Sequence, residues 1–298
     1  MIRVSGLTKS FSRRGPPAIE SVSFDVSDGE IVGFVGLNGA GKTTTIRIAA
    51  GVSLPGQGSV LIDGHDVVSD KVEASRRVGW VPETPNFEPN ATALSLMEYF
   101  SGYYGTLSSQ SKSSELLASV GLQGEETKKL RAYSQGMKKR FALAACMLNS
   151  PKNYLFDEVL NGLDPEGIRY FRRLMVDLRS QGSAVLLSSH MLVEIEGIAD
   201  RIVFIHRGKV IRAIARSDLV SQGHTYIRIV IRNPDARVRQ YLEGVGTVRE
   251  GSGAFIVETK ADPAKLNSEL LGMGYQVSEF SQQNEGLEEY FLNLVGGK

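Results

Sequence analysis

One stretch of the sequence combines glycines, a lysine and hydroxyl side chains at the spacing of a phosphate-binding loop. It runs from Gly36 to Thr44 and reads Gly-Leu-Asn-Gly-Ala-Gly-Lys-Thr-Thr. The glycines let backbone N–H groups converge on an anion, because a Cβ would block the required dihedral angles. Lys42 is expected to reach the β- and γ-phosphates, and the Thr43 hydroxyl to coordinate Mg²⁺. The stretch therefore predicts binding of a nucleoside triphosphate.

Two adjacent carboxylates supply a second chemistry. Asp157 and Glu158 end the apolar run that starts at Asn153 and predicts a buried strand. An aspartate in this place, downstream of a phosphate-binding loop, is typical of the second Mg²⁺ element. Glu158 is then placed to accept a proton from a water molecule that attacks the γ-phosphate.

Three further candidates each leave two interpretations open. Phe11 could stack on a nucleobase, although core packing is favoured from the residue alone. Glu83 follows a predicted strand at the kind of exit where α/β sheets bind ligands, or it is a solvated surface carboxylate. Ser134 and Gly136 open a predicted helix and could form an anion site, although an ordinary helix N-cap is favoured.

Two single residues receive no chemical role. His65 follows the hairpin signal Asp63-Gly64, in a predicted surface loop without a second metal ligand nearby. Cys146, the only cysteine, lies in an apolar predicted helix and is expected to be a buried packing residue. A single cysteine excludes an intramolecular disulfide and suits a reducing compartment.

Alternating strands and helices position these motifs. Met1–Val26 is predicted to form antiparallel strands, and Arg201–Ile205 with Lys209–Ala215 a terminal hairpin. The other predicted strands are Glu30–Val35, Ser59–Ile62, Arg77–Val81, Asn153–Asp157 and Ser183–Ser188. The predicted helices are Thr45–Ala50, Leu94–Tyr103, Glu115–Val120, one from Tyr133 through Leu148 and one from Pro165 to Ser180, with Ser108–Ser114 as a loop and helix N-cap.

Residues 219–298 are predicted to form a second unit, with the β-α-β-β-α-β order of the ferredoxin-like split pattern. No catalytic constellation is present there, so a packing or dimer-supporting role is favoured over a regulatory ligand site. Its predicted segments are the strand Tyr226–Ile231, the helix Pro234–Leu242, the hairpin strands Thr247–Arg249 and Ala254–Glu258, the helix Asp262–Met273 with Leu266, Leu270 and Met273 on one face, the strand Gln276–Phe280, and a last helix with Leu287, Tyr290, Phe291 and Leu294 on one face.

Charge and hydropathy restrict the partners. Lys and Arg number 34 and Asp and Glu 33 in 298 residues, so no basic surplus argues for nucleic acid or anionic lipid as the main partner. No apolar segment approaches the roughly 20 residues that a membrane span requires, and Met1–Lys9 has no apolar signal-peptide region. A membrane role is therefore expected to need a partner protein.

With all motifs in order, residues 1–218 resemble the ATP-binding cassette ATPases. Gly36–Thr43 matches their Walker A motif, and Asn153–Asp157 followed by Glu158 matches Walker B. Tyr133–Met137 stands at the signature motif, which is specific to this family among phosphate-loop proteins. The remaining matches are Asn161–Asp164 at the D-loop, His190 at the switch histidine, Glu83 at the Q-loop glutamine and Phe11 at the aromatic that stacks on adenine.

This resemblance implies an α/β fold: a P-loop NTPase cassette with a mixed sheet, a helical signature subdomain and antiparallel N-terminal strands, followed by a small ferredoxin-like α+β domain. It implies ATP and Mg²⁺ as ligands, with Glu158, His190 and Lys42 as catalytic residues. The implied metal ligands are Thr43, Asp157 and Glu83. The implied nucleotide contacts are Phe11, Gly36, Asn38, Gly39, Ala40, Gly41, Lys42, Thr43, Thr44, Ser134, Gly136 and Asp164.

The resemblance also implies an assembly. Two copies would face each other head to tail, with ATP between the Walker A motif of one and Ser134–Gly136 of the other. A separately encoded membrane permease would hold the protein at the cytoplasmic face of the membrane. The loop after Glu83, with the region Leu94–Tyr104, would touch that permease. ATP binding would close the dimer and hydrolysis would reopen it.

Four departures from the family pattern are present. The signature reads Tyr-Ser-Gln-Gly-Met instead of the commoner Leu-Ser-Gly-Gly-Gln, and Glu83 replaces the usual glutamine. Val159 stands where proline commonly follows the Walker B glutamate, and Asn161-Gly162 replace the more usual small residues of the D-loop. The first two resemble cassettes paired with separately encoded exporter-type permeases. None is expected to remove hydrolysis.

Two other functions fit the sequence less well. A soluble cassette ATPase of translation or DNA repair shares the same motifs, but such proteins usually carry tandem cassettes, long coiled-coil insertions or basic arms. A GTPase fails because the sequence contains no Asn-Lys-x-Asp guanine motif. The appended unit and the variant signature favour export over import.

Overall fold

The computed structural model describes residues 1–12, 15–103, 110–218, 225–251, 253–259, 261–284 and 287–296. Tyr104, at the end of the predicted permease-facing region, and the first two residues of the predicted loop Ser108–Ser114 lie outside these ranges. The chain divides into two compact units, Met1–Arg216 and Ser217–Lys298. Among the described residues, no helix combines the length and the apolar character that crossing a membrane requires.

Strands and helices alternate through the first unit. Its strands are β1 (Ile2–Lys9), β2 (Ile19–Val26), β3 (Ile31–Val35), β4 (Gln57–Ile62), β5 (His65–Asp66), β6 (Val78–Val81), β7 (Asn153–Asp157), β8 (Ala184–Ser189), β9 (Arg201–His206) and β10 (Lys209–Ala215). Its helices are α1 (Lys42–Ala49), α2 (Lys71–Arg76), α3 (Ala93–Tyr103), α4 (Gln110–Ser119), α5 (Gln135–Met147), α6 (Pro165–Ser180) and α7 (Leu192–Glu196), with a 3₁₀ turn at Leu130–Ala132.

A mixed sheet with the order β10-β9-β3-β8-β7-β6 carries the motifs. Its strands β9, β3, β8, β7 and β6 run parallel, and only the β10–β9 pair is antiparallel. Every residue of β3, β7 and β8 is buried, as expected for parallel strands covered on both faces. Because the carboxyl ends of parallel strands meet at one edge, the segments that follow β3, β6, β7 and β8 lie side by side there.

An antiparallel sheet, β2-β1-β4-β5, packs against the mixed sheet and shares its core. Buried and exposed residues alternate at the start of β1, where Ile2 and Val4 face the core. The rings of Phe24 and Phe34 join the two sheets, with centroids 5.0 Å apart. Ile46 and Ile48 of α1 complete the cluster and fix the helix that follows the phosphate-binding loop.

Local corrections to the predicted elements have simple causes. Helix α4 begins at Gln110, so residues 110–114 of the stretch predicted as a loop and helix N-cap are helical; Ser113 is fully buried, and packing overrides its weak helix propensity. His65 lies in β5, paired with Ile62, rather than in a loop. Helix α1 begins at Lys42, three residues earlier than predicted. The short helices α2 and α7 were not predicted.

The second unit contains the strands β11 (Thr225–Arg232), β12 (Thr247–Gly251), β13 (Ala254–Glu258) and β14 (Gln276–Asn284), with the helices α8 (Ala236–Val245), α9 (Pro263–Gly272) and α10 (Leu287–Gly296). Its antiparallel sheet has the order β12-β13-β11-β14, and the element order through β14 is β-α-β-β-α-β.

Several details of this unit differ from the sequence prediction. Strand β14 extends beyond Phe280 because its pairing with β11 continues to Asn284. Leu266 and Leu270 are buried, but Met273 lies past the end of α9 and is 48% exposed. On α10, Leu287 and Phe291 are buried, whereas Leu294 is exposed. The predicted apolar faces are therefore narrower than their sequence spacing indicates.

Candidate active site

The turn between β3 and α1 requires glycine at two positions. A Cβ on Gly36 would lie 2.3 Å from the carbonyl oxygen of Ile205, and one on Gly41 would lie 2.5 Å from the side chain of Ile19. Gly41 also has a φ of 111°, in the left-handed region that other residues avoid. It is the N-cap residue of α1, so the free N–H groups of the helix N-terminus follow directly and favour an anion.

Lys42 crosses the mouth of this loop. Its side chain is only 4% exposed, and Nζ donates to the carbonyl oxygen of Gly36 at 2.6 Å and to that of Leu37 at 3.2 Å. The same ammonium lies 3.1 Å from Oε1 of Glu158. A buried positive charge therefore stands between the loop and the carboxylate that follows β7.

Glu158 is held from several sides. Its backbone N–H donates to the Ser188 hydroxyl at 3.0 Å, and its φ of 49° is in the left-handed region. His190 Nδ1 and Asn161 Nδ2 each lie 2.5 Å from Oε2. Since a carboxylate oxygen only accepts, both nitrogens are donors. These contacts fix the direction in which the carboxylate points.

The ionisation of Glu158 follows from these partners. Burial by itself raises the pKa of this carboxyl, but the hydrogen bond from His190 and the charge of Lys42 outweigh that effect, so the pKa lies below its ordinary value. Glu158 is consequently an ionised hydrogen-bond acceptor at neutral pH.

Asp157 and Thr43 form an oxygen-rich pair beside it. The Thr43 hydroxyl donates to Asp157 Oδ1 at 3.1 Å, and the Ser188 hydroxyl donates to the same oxygen at 2.9 Å. Burial raises the pKa of Asp157, with these hydrogen bonds acting in the opposite direction. A hydroxyl and a buried carboxylate are the hard oxygen ligands that Mg²⁺ takes together with substrate phosphates.

Those two residues alone do not make a complete protein cage. Among the described residues, no group of three or more His, Cys, Asp and Glu side chains could hold a metal ion. This fits Mg²⁺, which usually keeps several waters and binds through one or two carboxylates and the phosphates of a nucleotide.

One cavity of about 340 Å³ gathers most of the predicted site. Phe11 is not among its lining residues; its ring is 73% exposed, with Lys9 Nζ 5.4 Å from the ring centroid. That exposure argues against a core-packing role for Phe11. The cavity is lined by Ala18, Asn38, Gly39, Gly41, Lys42, Thr43, Thr44, Glu83, Glu158 and His190.

A second pocket of the same unit holds three of the remaining predicted nucleotide contacts. Ser134, Gly136 and Asp164 line a cavity of about 380 Å³ that shares no residue with the first. Ser134 caps α5 by accepting from the backbone N–H of Met137 at 3.2 Å, and Asp164 caps α6 by accepting from that of Gly167 at 2.8 Å. Both serve as helix N-caps in the structure, and their pocket lies apart from Lys42.

Sequence reasoning missed three contributors. Ser188 joins Asp157 to the backbone of Glu158, the side chain of Asn161 orients the Glu158 carboxylate, and Lys139 binds the segment that follows β7. The register of β7 and β8, which places Asp157 opposite Ser188, is the signal that identifies the serine. Asn161 lies in the D-loop match, which did not predict its contact with Glu158, and no local pattern marks Lys139.

Comparison with known proteins gives one family. Residues 19–161 match the family described as ABC transporter. The bacitracin transport ATP-binding protein BcrA of Bacillus licheniformis is 32% identical, over 100% of this chain and 98% of that protein. The Nod factor export ATP-binding protein I of Burkholderia thailandensis is 31% identical, over 93% of this chain and 92% of that protein.

Solved structures agree with these relatives. The ATP-binding subunit of an ABC transporter has a TM-score of 0.67 at 29% identity, covering 74% of this chain and 92% of that one. A dimeric ATP-binding cassette in a post-hydrolysis state, bound to ADP and phosphate, has a TM-score of 0.65 at 24% identity, covering 72% of this chain and 99% of that one. The second likeness shows the fold alone.

Proposed function

This chain belongs to the ABC transporter family of ATP-binding proteins and is an ATPase of that family, and on that premise we propose that it drives a separately encoded membrane permease, with export as the direction. The observation that carries the proposal is the convergence of Lys42, Thr43, Asp157 and Glu158 at one edge of the mixed sheet. Similarity to an antibiotic transport protein and a Nod factor export protein over nearly their full length favours a transport role.

We infer the following division of work for hydrolysis. The loop Gly36–Thr44 binds the phosphates of ATP, and Lys42 turns from its carbonyl and carboxylate partners towards the β- and γ-phosphates. Thr43 and Asp157 would hold Mg²⁺, with Glu83 lining the cavity that Thr43 also lines. When bound, the ion offsets negative charge on the phosphate oxygens. Phe11 offers an exposed ring on which adenine can stack.

Glu158 is the proposed general base. It accepts a proton from the water that attacks the γ-phosphorus, and the bond from that phosphorus to the bridging oxygen breaks to release ADP. His190 holds Oε2 of Glu158 and lies on the cavity wall, where it can contact the γ-phosphate. Departure of Lys42 towards the phosphates removes one of the partners that lower the pKa of Glu158. Glu158 then becomes a stronger proton acceptor when ATP is present.

A head-to-tail homodimer is the proposed active assembly. The pocket of Ser134, Gly136 and Asp164 is separate from the cavity of Lys42 within one chain. Two copies that face each other in opposite directions would place the second pocket of one against the first cavity of the other. ATP would then contact both copies, so its binding closes the dimer and its hydrolysis allows reopening.

The proposed docking site for the permease is an apolar groove of about 410 Å³. It lies between the segment after β6 and the helices α3 and α5, and Tyr99 of α3 is 68% exposed. An apolar helical segment of the permease fits such a groove, and its binding would hold this chain at the cytoplasmic face of the membrane. The groove is lined by Trp80, Pro82, Pro85, Asn86, Phe87, Phe100, Ala142, Ala145 and Cys146.

The substitution Glu158→Gln tests the hydrolysis mechanism. It should leave ATP binding intact and lower turnover by about 10²- to 10⁴-fold, because the amide cannot accept the proton. The variant should also accumulate as an ATP-bound dimer, measured by light scattering. Glu243→Gln, which removes an exposed carboxylate of the second unit, is the matched control. Hydrolysis by Glu158→Gln at the wild-type rate would show that another group is the base.

A further inference from the structure

A buried lysine ammonium contacts the backbone carbonyl of Glu158 and has no direct part in the proposed hydrolysis step. Lys139 belongs to α5 and is 3% exposed. Its ammonium donates to the carbonyl oxygens of Glu158 at 3.3 Å, Val159 at 3.1 Å and Asn161 at 2.6 Å. An ammonium has three donors and no acceptor, so these three carbonyls use it fully. Burial of a charge is costly unless it is hydrogen-bonded, which indicates a specific role for this lysine.

The segment that Lys139 holds has an unfavourable backbone. Glu158 has a φ of 49°, a conformation that costs free energy for a residue with a side chain. The backbone N–H of Asn161 turns back to the carbonyl of Glu158 at 3.2 Å. The carbonyls of this turn point towards α5, where Lys139 satisfies them. Without the ammonium, these buried oxygens would lose a partner and the turn would relax.

The same contacts reach the carboxylate of Glu158. Asn161, whose carbonyl receives the shortest of the three hydrogen bonds, donates from Nδ2 to Oε2 of Glu158 at 2.5 Å. Lys139 therefore fixes the backbone of Glu158 and also the residue that orients its side chain. Burial lowers the pKa of Lys139, and the negative charges of Glu83 and Glu158 act in the opposite direction.

The other end of this arrangement is the N-terminus of α5. Ser134 is the N-cap of that helix, five residues before Lys139, and Gly136 lies in its first turn. The lysine thus fastens the helix that begins with the proposed partner-facing residues to the turn that carries the proposed base. A displacement of α5 would therefore move the ammonium that binds the carbonyl oxygens of the Glu158 turn.

We propose that Lys139 is a positioning residue for hydrolysis: its buried ammonium binds the carbonyls of Glu158, Val159 and Asn161 and thereby holds the Glu158 carboxylate at the angle that proton transfer requires. The proposal rests on the proposed function, because it acts through Glu158 as the base. It assigns the lysine no contact with ATP.

The primary test is Lys139→Met, which keeps the length of the side chain and removes the donors. We expect kcat to fall by about 100-fold while the KM for ATP changes by less than about threefold, because small misplacements of a reacting group cost that much. Lys152→Met is the matched control, since Lys152 is exposed just before the opposite end of β7. Circular dichroism melting of both variants reports whether the fold is kept.

A double-mutant cycle separates positioning from general support of the fold. If Lys139 acts through Glu158, then Lys139→Met should cost less than about threefold in single-turnover hydrolysis when Glu158 is already glutamine. An equal factor in both backgrounds would overturn the proposal in favour of a structural role. An unchanged kcat in Lys139→Met would overturn it as well.

Two further arms keep the outcome decisive. If Lys139→Met does not fold, Lys139→Gln takes its place, because the amide keeps two N–H donors; a smaller fall in kcat with the same loss of additivity is expected. If Glu158→Gln hydrolyses ATP at the wild-type rate, the assignment of the base fails, and the inference fails with it. If Glu158→Gln is inactive while Lys139→Met and Lys139→Gln remain fully active, only the role of Lys139 is wrong.

Discussion

At the scale of residues, Asp157 and Glu158 are neighbours in the chain whose pKa values shift in opposite directions. The pKa of Asp157 is raised, chiefly by burial, whereas that of Glu158 is lowered by its partners in spite of burial. Glu158 has Lys42 within 3.1 Å, while the hydrogen bonds to Asp157 come from the neutral hydroxyls of Thr43 and Ser188. The unbalanced charge of Asp157 is the feature that a divalent cation would relieve.

This difference predicts a stabilising but inactivating substitution. Because the folded-state pKa of Asp157 is raised, its contribution to stability is fully present below the unfolded pKa and is lost as pH rises through the folded pKa. At pH 7 its ionisation therefore disfavours folding. Asp157→Asn keeps an oxygen for Thr43 and Ser188 and should raise the Tm of the first unit, Met1–Arg216, by about 2–4 °C for each kcal/mol gained.

The measurement is thermal melting at several pH values without nucleotide, followed by ATPase activity with Mg²⁺. The Tm difference between Asp157→Asn and wild type should grow from acidic to neutral pH, and hydrolysis should be lost. Asp177→Asn provides the control, because Asp177 is an exposed aspartate of α6. A lower Tm for Asp157→Asn than for wild type at pH 7 would mean that its ionised form is a net stabiliser.

At the scale of elements, the segment that follows β6 joins two sites of the first unit. Glu83 lines the cavity of Lys42, while Pro82 and Pro85 line the apolar groove. Proline fixes φ, so this short segment should move as one body. A shift at the groove is then transmitted to the position of Glu83 beside the proposed metal site.

Glu83 is therefore expected to affect coupling more than nucleotide affinity. Glu83→Ala should reduce the stimulation of ATPase activity by the reconstituted permease, with little change in ATP affinity. Glu83→Gln restores the residue usual in the family and should be mild, which makes it the matched control for loss of the side chain. Both quantities are to be measured on the same preparations. Full stimulation of Glu83→Ala by the permease would place the transmission path elsewhere.

At the scale of the whole molecule, the two sets of proposed nucleotide contacts line separate pockets of one chain. A head-to-tail dimer predicts that defects in different sets complement each other. Lys42→Ala and Ser134→Arg chains should each be inactive alone, and an equal mixture should recover about a quarter of the wild-type activity, because half of its symmetric dimers are mixed and each has one intact site.

The control for this mixture is a chain that carries both substitutions. Combined with either single variant, it leaves no intact site and should recover nothing. The activity of each mixture is measured after exchange of subunits, at several protein concentrations. Two results together would contradict a shared site. The mixture of the single variants would be no more active than the two variants measured separately, and the wild-type rate per molecule would not depend on protein concentration.

The second unit marks a limit of prediction from local patterns. The sequence predicted its elements in the right order, because the strands alternate and the helices repeat at their own periods. The spacing also predicted Met273 on a buried face, yet it is 48% exposed because α9 ends at Gly272. Strand β14 is longer than its apolar part since its pairing with β11 continues through polar residues. Periodicity identifies an element but not the residue at which packing stops it.

The sequence by itself determined the features that depend on neighbouring residues. The loop Gly36–Thr44 is recognisable because the positive φ angles of Gly39 and Gly41 are a local backbone requirement. An apolar run likewise predicts the buried strand that ends at Asp157. Turn chemistry predicts the hairpin turn at Asp63-Gly64, where Asp63 and Gly64 both have positive φ. Ser134 is the helix N-cap that the sequence predicted, for the same reason. Each of these requirements is met within a few residues of chain.

Only the tertiary structure decided how the site is held together. Ser188 lies 30 residues from Glu158 in the chain and Lys139 lies 19 residues from it, yet both contact it directly. The first contact depends on the register of two parallel strands, and the second on the seating of α5 against the turn after β7. A lysine and a serine have no local pattern that reveals a distant partner. Their roles arise because packing excludes water, so that the buried polar groups must form hydrogen bonds with one another.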